Sequence, residues 1–201
     1  MNRLAQLGLA AALAAACMTA SAQQAAPAAP AAPATPAAPA ASAAANAIPV
    51  ARPADVASID AIVAALYQVI SGPAGAPRDW DRMRSLFALE ARMGAIGTRP
   101  DGSTPLRLMT PDDYIARNTK AFATMGFFET ELARTTETFG QLAHVFSTYE
   151  ARHAADEAKP FMRGINSIQL IHDGKRWYVL SLIWRAEDAK LQLPERYLRK
   201  G

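Results

Sequence analysis

The spacing of apolar residues along this chain changes from a helical repeat to a strand repeat. Between Ile59 and Ile70 the apolar side chains recur every three or four residues, which is the spacing of one helical face. A shorter helix is predicted after Asp79, which can act as its N-cap, and a third begins at Thr110, with Pro111 in its first turn. The pattern therefore predicts three amphipathic helices in the first part of the folded region.

After Gly126 the apolar repeat shortens to about two residues, which is typical of strands. Four long antiparallel strands are predicted over 127–140, 141–152, 161–172 and 176–185, and a brief one over 91–97, between the second and third helices. Helices gathered on one face of a strongly bent antiparallel sheet give an α+β domain.

Two stretches resemble the NTF2-like (SnoaL-like) superfamily. The segment DWDRMRSLF, residues 79–87, is similar to the second helix of these domains, and HDGKRWYV, residues 172–179, is similar to their closing hairpin. The resemblance covers about residues 55–190 and implies a cone-shaped fold with three helices on one face of the sheet. Isomerases, dehydratases and proteins that only bind share this fold, so the resemblance implies a pocket but no particular activity.

The N-terminal residues have the composition of an export signal followed by a linker. Arg3, the apolar run over 4–16 and the small residues 20–22 are typical of a secretory signal that is cleaved after Ala22. Residues 23–54 are almost entirely Ala and Pro, and five prolines recur there at every third position, which favours an extended polyproline II spacer. The folded domain is expected over 55–201, in a protein exported to the bacterial periplasm.

A lipid anchor is the alternative to a freely exported protein. Cys17 is the only cysteine, and the residues before it weakly resemble a bacterial lipobox, in which the cysteine becomes the lipidated N-terminus. If the signal is instead cleaved after Ala22, the mature chain has no cysteine and no disulfide.

The hairpin around Asp173-Gly174 predicts two faces with different roles. A two-residue turn at this dipeptide places Ile171 opposite Arg176. The resemblance implies that the face with Asn166 and Ser181 lies beneath the helices. The opposite face is expected to present the apolar side chains of Ile165, Tyr178, Leu180, Leu182 and Trp184.

An apolar patch of this kind is seldom bare on a monomer. Because NTF2-like domains commonly dimerise through this surface, the resemblance implies a homodimer with those five residues in its interface. The alternative is that an N- or C-terminal segment of the same chain covers the patch.

Composition and motifs exclude several classes of chemistry. The net charge of +3 falls to +2 when Arg3 leaves with the signal, and basic residues are scattered among acids, so no nucleic-acid partner is expected. The three histidines lack the spacing of metal ligands, and the chain has no Gly-rich phosphate loop or serine nucleophile motif. Neither a metal nor another cofactor is therefore predicted, and no membrane span is expected.

The candidate catalytic groups are few. His144 could act as a base, although the register of its strand is not fixed by the pattern. Glu129, Glu131 and Glu137 alternate along one strand and are expected on a single, solvated face, which leaves Glu129 and Glu131 as weak candidates.

A binding pocket needs fewer groups than an active site does. Its expected lining residues are aromatic or polar side chains on the helices and inner strands: Tyr67, Trp80, Tyr149, Asn166 and Ser181. The leading hypothesis is an exported, non-catalytic domain that binds a small apolar or amphipathic molecule or an envelope protein. The alternative is an isomerase or dehydratase that uses a pocket histidine or glutamate as its base.

Overall fold

The computed structural model describes residues 47–105 and 107–199. The predicted signal, most of the predicted linker and Cys17 lie outside these residues. The helices are α1 (Pro53–Val56), α2 (Ile59–Ile70), α3 (Trp80–Leu86) and α4 (Pro111–Phe122), followed by a 3-10 turn at Glu195–Tyr197. The strands are β1 (Phe87–Ile96), β2 (Arg107–Met109), β3 (Phe128–Phe139), β4 (Leu142–Arg152), β5 (Met162–His172) and β6 (Trp177–Ala186).

The predicted α+β architecture is confirmed, with differences of detail. The six strands form one sheet in the order β2-β1-β6-β5-β4-β3. Most neighbours are antiparallel, but β1 runs parallel to β6, so the sheet is mixed. The pattern missed α1 and the three-residue strand β2, and β1 starts at Phe87, four residues before the predicted segment.

Side-chain caps fix the starts of the three long helices. The Ser58 hydroxyl accepts a hydrogen bond from the backbone N–H of Ala61 at 3.1 Å, and the Asp79 carboxylate accepts one from the N–H of Arg82 at 2.9 Å. Thr110 forms a reciprocal capping box with Asp113. No described helix is long and apolar enough to cross a membrane.

The hydrophobic core lies between the helices and the inner face of the sheet. Helix α2 contributes its buried stripe, and the strands contribute alternate residues such as Val145, Ile168, Leu170 and Val179, each at most 1% exposed. Alternation along β5 places Gly164, Asn166, Ile168 and Leu170 on this inner face, as the pattern predicts.

A bulge in β6 overturns the predicted faces of the residues that follow it. The pairing shifts by one residue between Leu170–Val179 and Gln169–Ser181, and Leu180 is the extra residue. Beyond it, Leu182 pairs with Ile168 and Trp184 pairs with Asn166, so both turn inward. Their predicted place on the outer face is wrong, and Ser181 is the residue that faces outward.

The hairpin loop also differs from the predicted two-residue turn. Ile171 pairs with Tyr178 rather than Arg176, and residues 173–176 form a four-residue loop. The Asp173 carboxylate accepts hydrogen bonds from the N–H groups of Lys175 and Arg176 at 2.8 and 2.9 Å. This side chain stabilises the longer loop, and Gly174 supplies the positive φ of 95° that the loop needs.

The C-terminal residues cover part of the outer face. The Thr148 hydroxyl donates a hydrogen bond to the backbone oxygen of Tyr197 at 2.6 Å, and the Tyr197 ring packs 5.2 Å from that of Phe146. Ile165 and residues of this segment, among them Leu193, line one recess of about 340 Å³. Of the five predicted interface residues, only Tyr178 and Leu180 remain on the uncovered outer face, and the homodimer itself stays a prediction.

Candidate active site

A cavity of about 310 Å³ lies between α2, α4 and the inner face of the sheet. Most of its wall is apolar, and large side chains such as those of Met83, Met93, Met109, Phe87, Trp184 and Leu182 form much of it. A mostly apolar wall with a few polar groups is the usual composition of a small-molecule site. Such a site holds the body of a ligand by burial and orients it through the polar groups.

Glu129 is the acid that reaches this cavity. The bulge at Leu132 in β3 lets Glu129 and Glu131 face the same side as Tyr149 and Ala151, while Glu137 pairs with His144 on the outer face. The prediction that the three glutamates share one solvated face is therefore wrong. An extra residue in β3 separates Glu137 from the other two, and the sequence pattern does not reveal it.

Both the backbone and the carboxylate of Glu129 are fixed. Its N–H donates a hydrogen bond at 3.0 Å to the hydroxyl of Ser71, which follows the end of α2. The amide of Asn166 donates a hydrogen bond to its carboxylate Oε1 at 3.1 Å. Burial raises the pKa of Glu129 to about 7, and the bond from Asn166 offsets part of this rise.

A chain of hydrogen bonds links Glu129 to the surface. The Asn166 amide also donates to the Tyr67 hydroxyl at 3.2 Å, and Tyr67 lies 2.6 Å from the Ser147 hydroxyl. The Ser147 hydroxyl donates its hydrogen bond to the Glu131 carboxylate, so the Tyr67 hydroxyl must be the donor in the hydrogen bond between Tyr67 and Ser147. Glu131 also pairs with Arg134 at 2.8 Å, and this fixed order of donors keeps Asn166 aimed at Glu129.

Tyr149 carries a polar group with no partner. Its ring is 1% exposed and its hydroxyl has no hydrogen-bond partner among the described residues, although it lines the cavity. A methyl group at Gly164 would approach this hydroxyl to 2.7 Å, so the glycine leaves room for it. A buried hydroxyl without a partner costs free energy, which a ligand oxygen in the cavity would recover.

The structure separates the predicted pocket residues into two groups. Tyr67, Tyr149 and Asn166 line the cavity. Trp80 does not, since it stacks on Phe122 with 6.2 Å between the ring centroids. Ser181 pairs with Gln169 on the outer face, so the predicted pair of Asn166 and Ser181 does not form.

The other two catalytic candidates lie outside this cavity. His144 is on the outer face, where its Nε2 lies 3.1 Å from the Ser167 hydroxyl. Glu131 is engaged by Ser147 and Arg134 and lines a second recess of about 400 Å³, which Tyr67 and Glu129 also line. Glu129 therefore lines both cavities.

Helix α4 supplies site residues that the pattern did not identify. Tyr114 and Arg117 line the cavity, and burial raises the pKa of Tyr114, with the charge of Glu129 contributing. Tyr114 has the apolar helical spacing of a core residue, and Arg117 resembles any solvated helix residue, so neither carries a distinctive signal in the sequence.

The arrangement is suited to proton transfer. A carboxyl group with a pKa near neutrality can both take and return a proton, and a phenol hydroxyl can donate a hydrogen bond to an oxygen that gains charge. In the described ranges no cluster of three or more potential metal ligands is present.

Comparisons with known proteins find similar structures at low sequence identity. No protein-family model matches the sequence, and no curated protein matches it. A protein of unknown function with a cystatin-like fold from Nostoc punctiforme is 9% identical, with a TM-score of 0.50 over 65% of this chain and 90% of its own. An NTF2-like protein of unknown function from Silicibacter pomeroyi is 19% identical, with a TM-score of 0.43 over 65% of this chain and 94% of its own.

An NTF2-like protein of unknown function from Shewanella baltica is 15% identical, with a TM-score of 0.40 over 64% of this chain and 92% of its own. At these identities the likeness concerns the fold alone. The order of elements, with three helices packed on the inner face of a bent sheet around a cavity, is the arrangement that the sequence resemblance implied. The domain has the NTF2-like fold.

Proposed function

We propose that this protein is a small-molecule enzyme of the isomerase or dehydratase type, with Glu129 as its base. The observation that carries the proposal is a carboxyl group inside an apolar cavity, with a pKa raised to about 7 by burial. A base is most effective when its pKa lies near the working pH, because enough of it is ionised and it still binds protons strongly.

Tyr149 supplies the second function that such a reaction needs. Glu129 takes a proton from the carbon next to a carbonyl group, and the electron pair of that C–H bond moves onto the carbonyl oxygen. The unpartnered Tyr149 hydroxyl donates a hydrogen bond to this oxygen as it becomes negative. In an isomerase Glu129 returns the proton to another carbon, and in a dehydratase it gives it to a departing hydroxyl, which leaves as water.

The rest of the polar network positions the base. Asn166 holds one carboxylate oxygen of Glu129, and Tyr67 and Ser147 hold Asn166. Because the carboxylate is oriented before the substrate binds, less reorganisation accompanies the reaction.

Binding without turnover is the second candidate. It is favoured by the small number of polar groups: among the described residues that line the cavity there is no histidine or cysteine, and Glu129 is the only acid. In this case Tyr149 and Asn166 orient an apolar or amphipathic ligand, and the charge of Glu129 has no chemical role.

Hydrogen–deuterium exchange distinguishes the two functions without knowledge of the product. The protein is incubated in D₂O with a panel of cyclic and linear ketones, and mass spectrometry follows deuterium uptake next to the carbonyl group. The enzyme hypothesis expects uptake that Glu129→Gln abolishes and Glu137→Gln, on the outer face of the same strand, leaves unchanged. Equal uptake by wild type and Glu129→Gln would reject Glu129 as the base.

We propose further that the enzyme acts outside the cytoplasm. The proposal rests on the signal-like residues 1–22 and on the Ala/Pro segment that follows them. Mass spectrometry of the mature protein is expected to find Gln23 as the first residue. A lipidated Cys17 at the N-terminus would instead establish the anchored form.

A further inference from the structure

The two charged side chains that line the cavity do not pair with each other. Glu129 is half-buried, whereas Arg117 is exposed and marks the solvent side of the same cavity. No ion pair within the described ranges joins them. The site therefore has a positive mouth and, separately, an acidic interior.

The two acids in the first turn of α4, the helix that carries Arg117, are already engaged. Asp112 accepts a hydrogen bond from Arg84 at 2.7 Å, and Asp113 forms the capping box with Thr110. Arg117 acts on Asp113 only through space and has no carboxylate within 4.0 Å in the described part of the chain. Its guanidinium is therefore available to a ligand.

Arg107 adds a second positive charge on the same side of the sheet. It pairs with Ala95, and Met109, two residues further along β2, pairs with Met93. Alternate residues of a strand share a face, and Ala95, Met93 and Met109 all line the cavity, so Arg107 is on the face of the sheet that bears the cavity, next to its lining residues. It too is exposed and has no ion-pair partner in the described segments.

We propose that the natural ligand is an amphipathic carboxylic acid, whose carboxylate docks at Arg117 and Arg107 while its apolar body fills the cavity. This proposal rests on the proposed function, because it takes the cavity to be the substrate site. A negative head group beside Glu129 would be repelled, so the acid enters with its apolar end first. Guanidinium groups suit this role because they donate two parallel hydrogen bonds to a carboxylate.

Isothermal titration with octanoate, 1-octanol and octylammonium tests the proposal on the whole protein. Wild type is expected to bind octanoate more tightly than octanol, and octylammonium least. Arg117→Gln is expected to weaken octanoate binding about two- to fivefold, as for one exposed ion pair, and to leave octanol unchanged. Arg117→Glu is expected to reverse the order of octanoate and octylammonium.

Lys120→Gln is the matched control, because Lys120 lies on the same exposed side of α4 but does not line the cavity. It is expected to bind all three probes like wild type. Any of three results would overturn the proposal. These are an equal loss of octanoate binding in Lys120→Gln and Arg117→Gln, no loss in Arg117→Gln, and no octanoate binding by wild type. The proposed proton transfer is judged separately, since Glu129→Gln abolishes exchange but is expected to retain octanoate binding.

Discussion

Replacing Glu129 with glutamine is expected to stabilise the protein in a manner that depends on pH. Burial raises the pKa of Glu129 from 4.5 to about 7, so the native state holds its proton more tightly than the unfolded chain does. Stability is then greatest below pH 4.5 and falls as the pH rises towards 7, where the native state must carry the charge.

The shift in the pKa of Glu129 sets the size of the change in the free energy of unfolding. One pKa unit corresponds to about 1.4 kcal/mol, so a rise of this size corresponds to about 3 kcal/mol in the free energy of unfolding. Since the side chain is half-buried rather than fully enclosed, solvent reduces the free-energy cost of its charge. We therefore expect a change of at least about 2 kcal/mol in the free energy of unfolding. Glutamine keeps the acceptor for Asn166 but carries no charge, so the variant avoids this cost.

Urea unfolding at a series of pH values measures the effect as a difference between two proteins. The stability gained by Glu129→Gln should be near zero at pH 4 and reach about 2 to 3 kcal/mol at pH 8. Glu137→Gln, on the exposed outer face, should follow wild type at every pH. Parallel curves for wild type and Glu129→Gln would refute the argument that burial raises the pKa of this carboxyl group.

Three further variants test other parts of the structure. Tyr149→Phe removes a buried hydroxyl that has no hydrogen-bond partner among the described residues, so it is expected to raise the unfolding free energy by about 1 kcal/mol and to reduce the exchange activity. A loss of stability would mean that the hydroxyl is hydrogen-bonded. Asp55→Asn breaks the ion pair between Asp55, whose side chain is 11% exposed, and Arg82, whose side chain is 15% exposed. The variant is expected to lose about 1 to 3 kcal/mol of unfolding free energy in urea at pH 7, and an unchanged midpoint would contradict a stabilising pair. If Tyr178 and Leu180 lie in a homodimer interface, light scattering should show a dimer that Leu180→Glu converts to a soluble monomer, and a monomeric wild type would contradict the dimer.

The architecture could be predicted from the sequence because it follows from periodicity. The helical spacing of α2, the capping residues of α3 and α4 and the alternation along β5 each gave the correct element or face. Asn166 was placed in the pocket because the family resemblance puts its face beneath the helices, and Tyr67 and Tyr149 were placed there as aromatic residues of the helices and strands. All three line the cavity.

The site's chemistry could not be predicted because it depends on two bulges. Leu132 places Glu129 inside the cavity and Glu137 outside it, and Leu180 turns Leu182 and Trp184 inward. Each bulge inserts one residue and exchanges the faces of every later position, yet it leaves the alternation of residue types in the sequence almost unchanged. Arg117 was missed because a cation at a cavity mouth has the same local pattern as any exposed helix residue.

The pKa of Glu129 is the most direct test of the proposed base. Carbon-detected NMR of protein labelled with ¹³C at the glutamate side-chain carboxyl carbon can follow each acid through a pH titration, and the signal missing from Glu129→Gln identifies the resonance of Glu129. A pKa of about 7 is the expected result. A value close to the ordinary 4.5 would contradict the burial argument and remove Glu129 as the base at neutral pH.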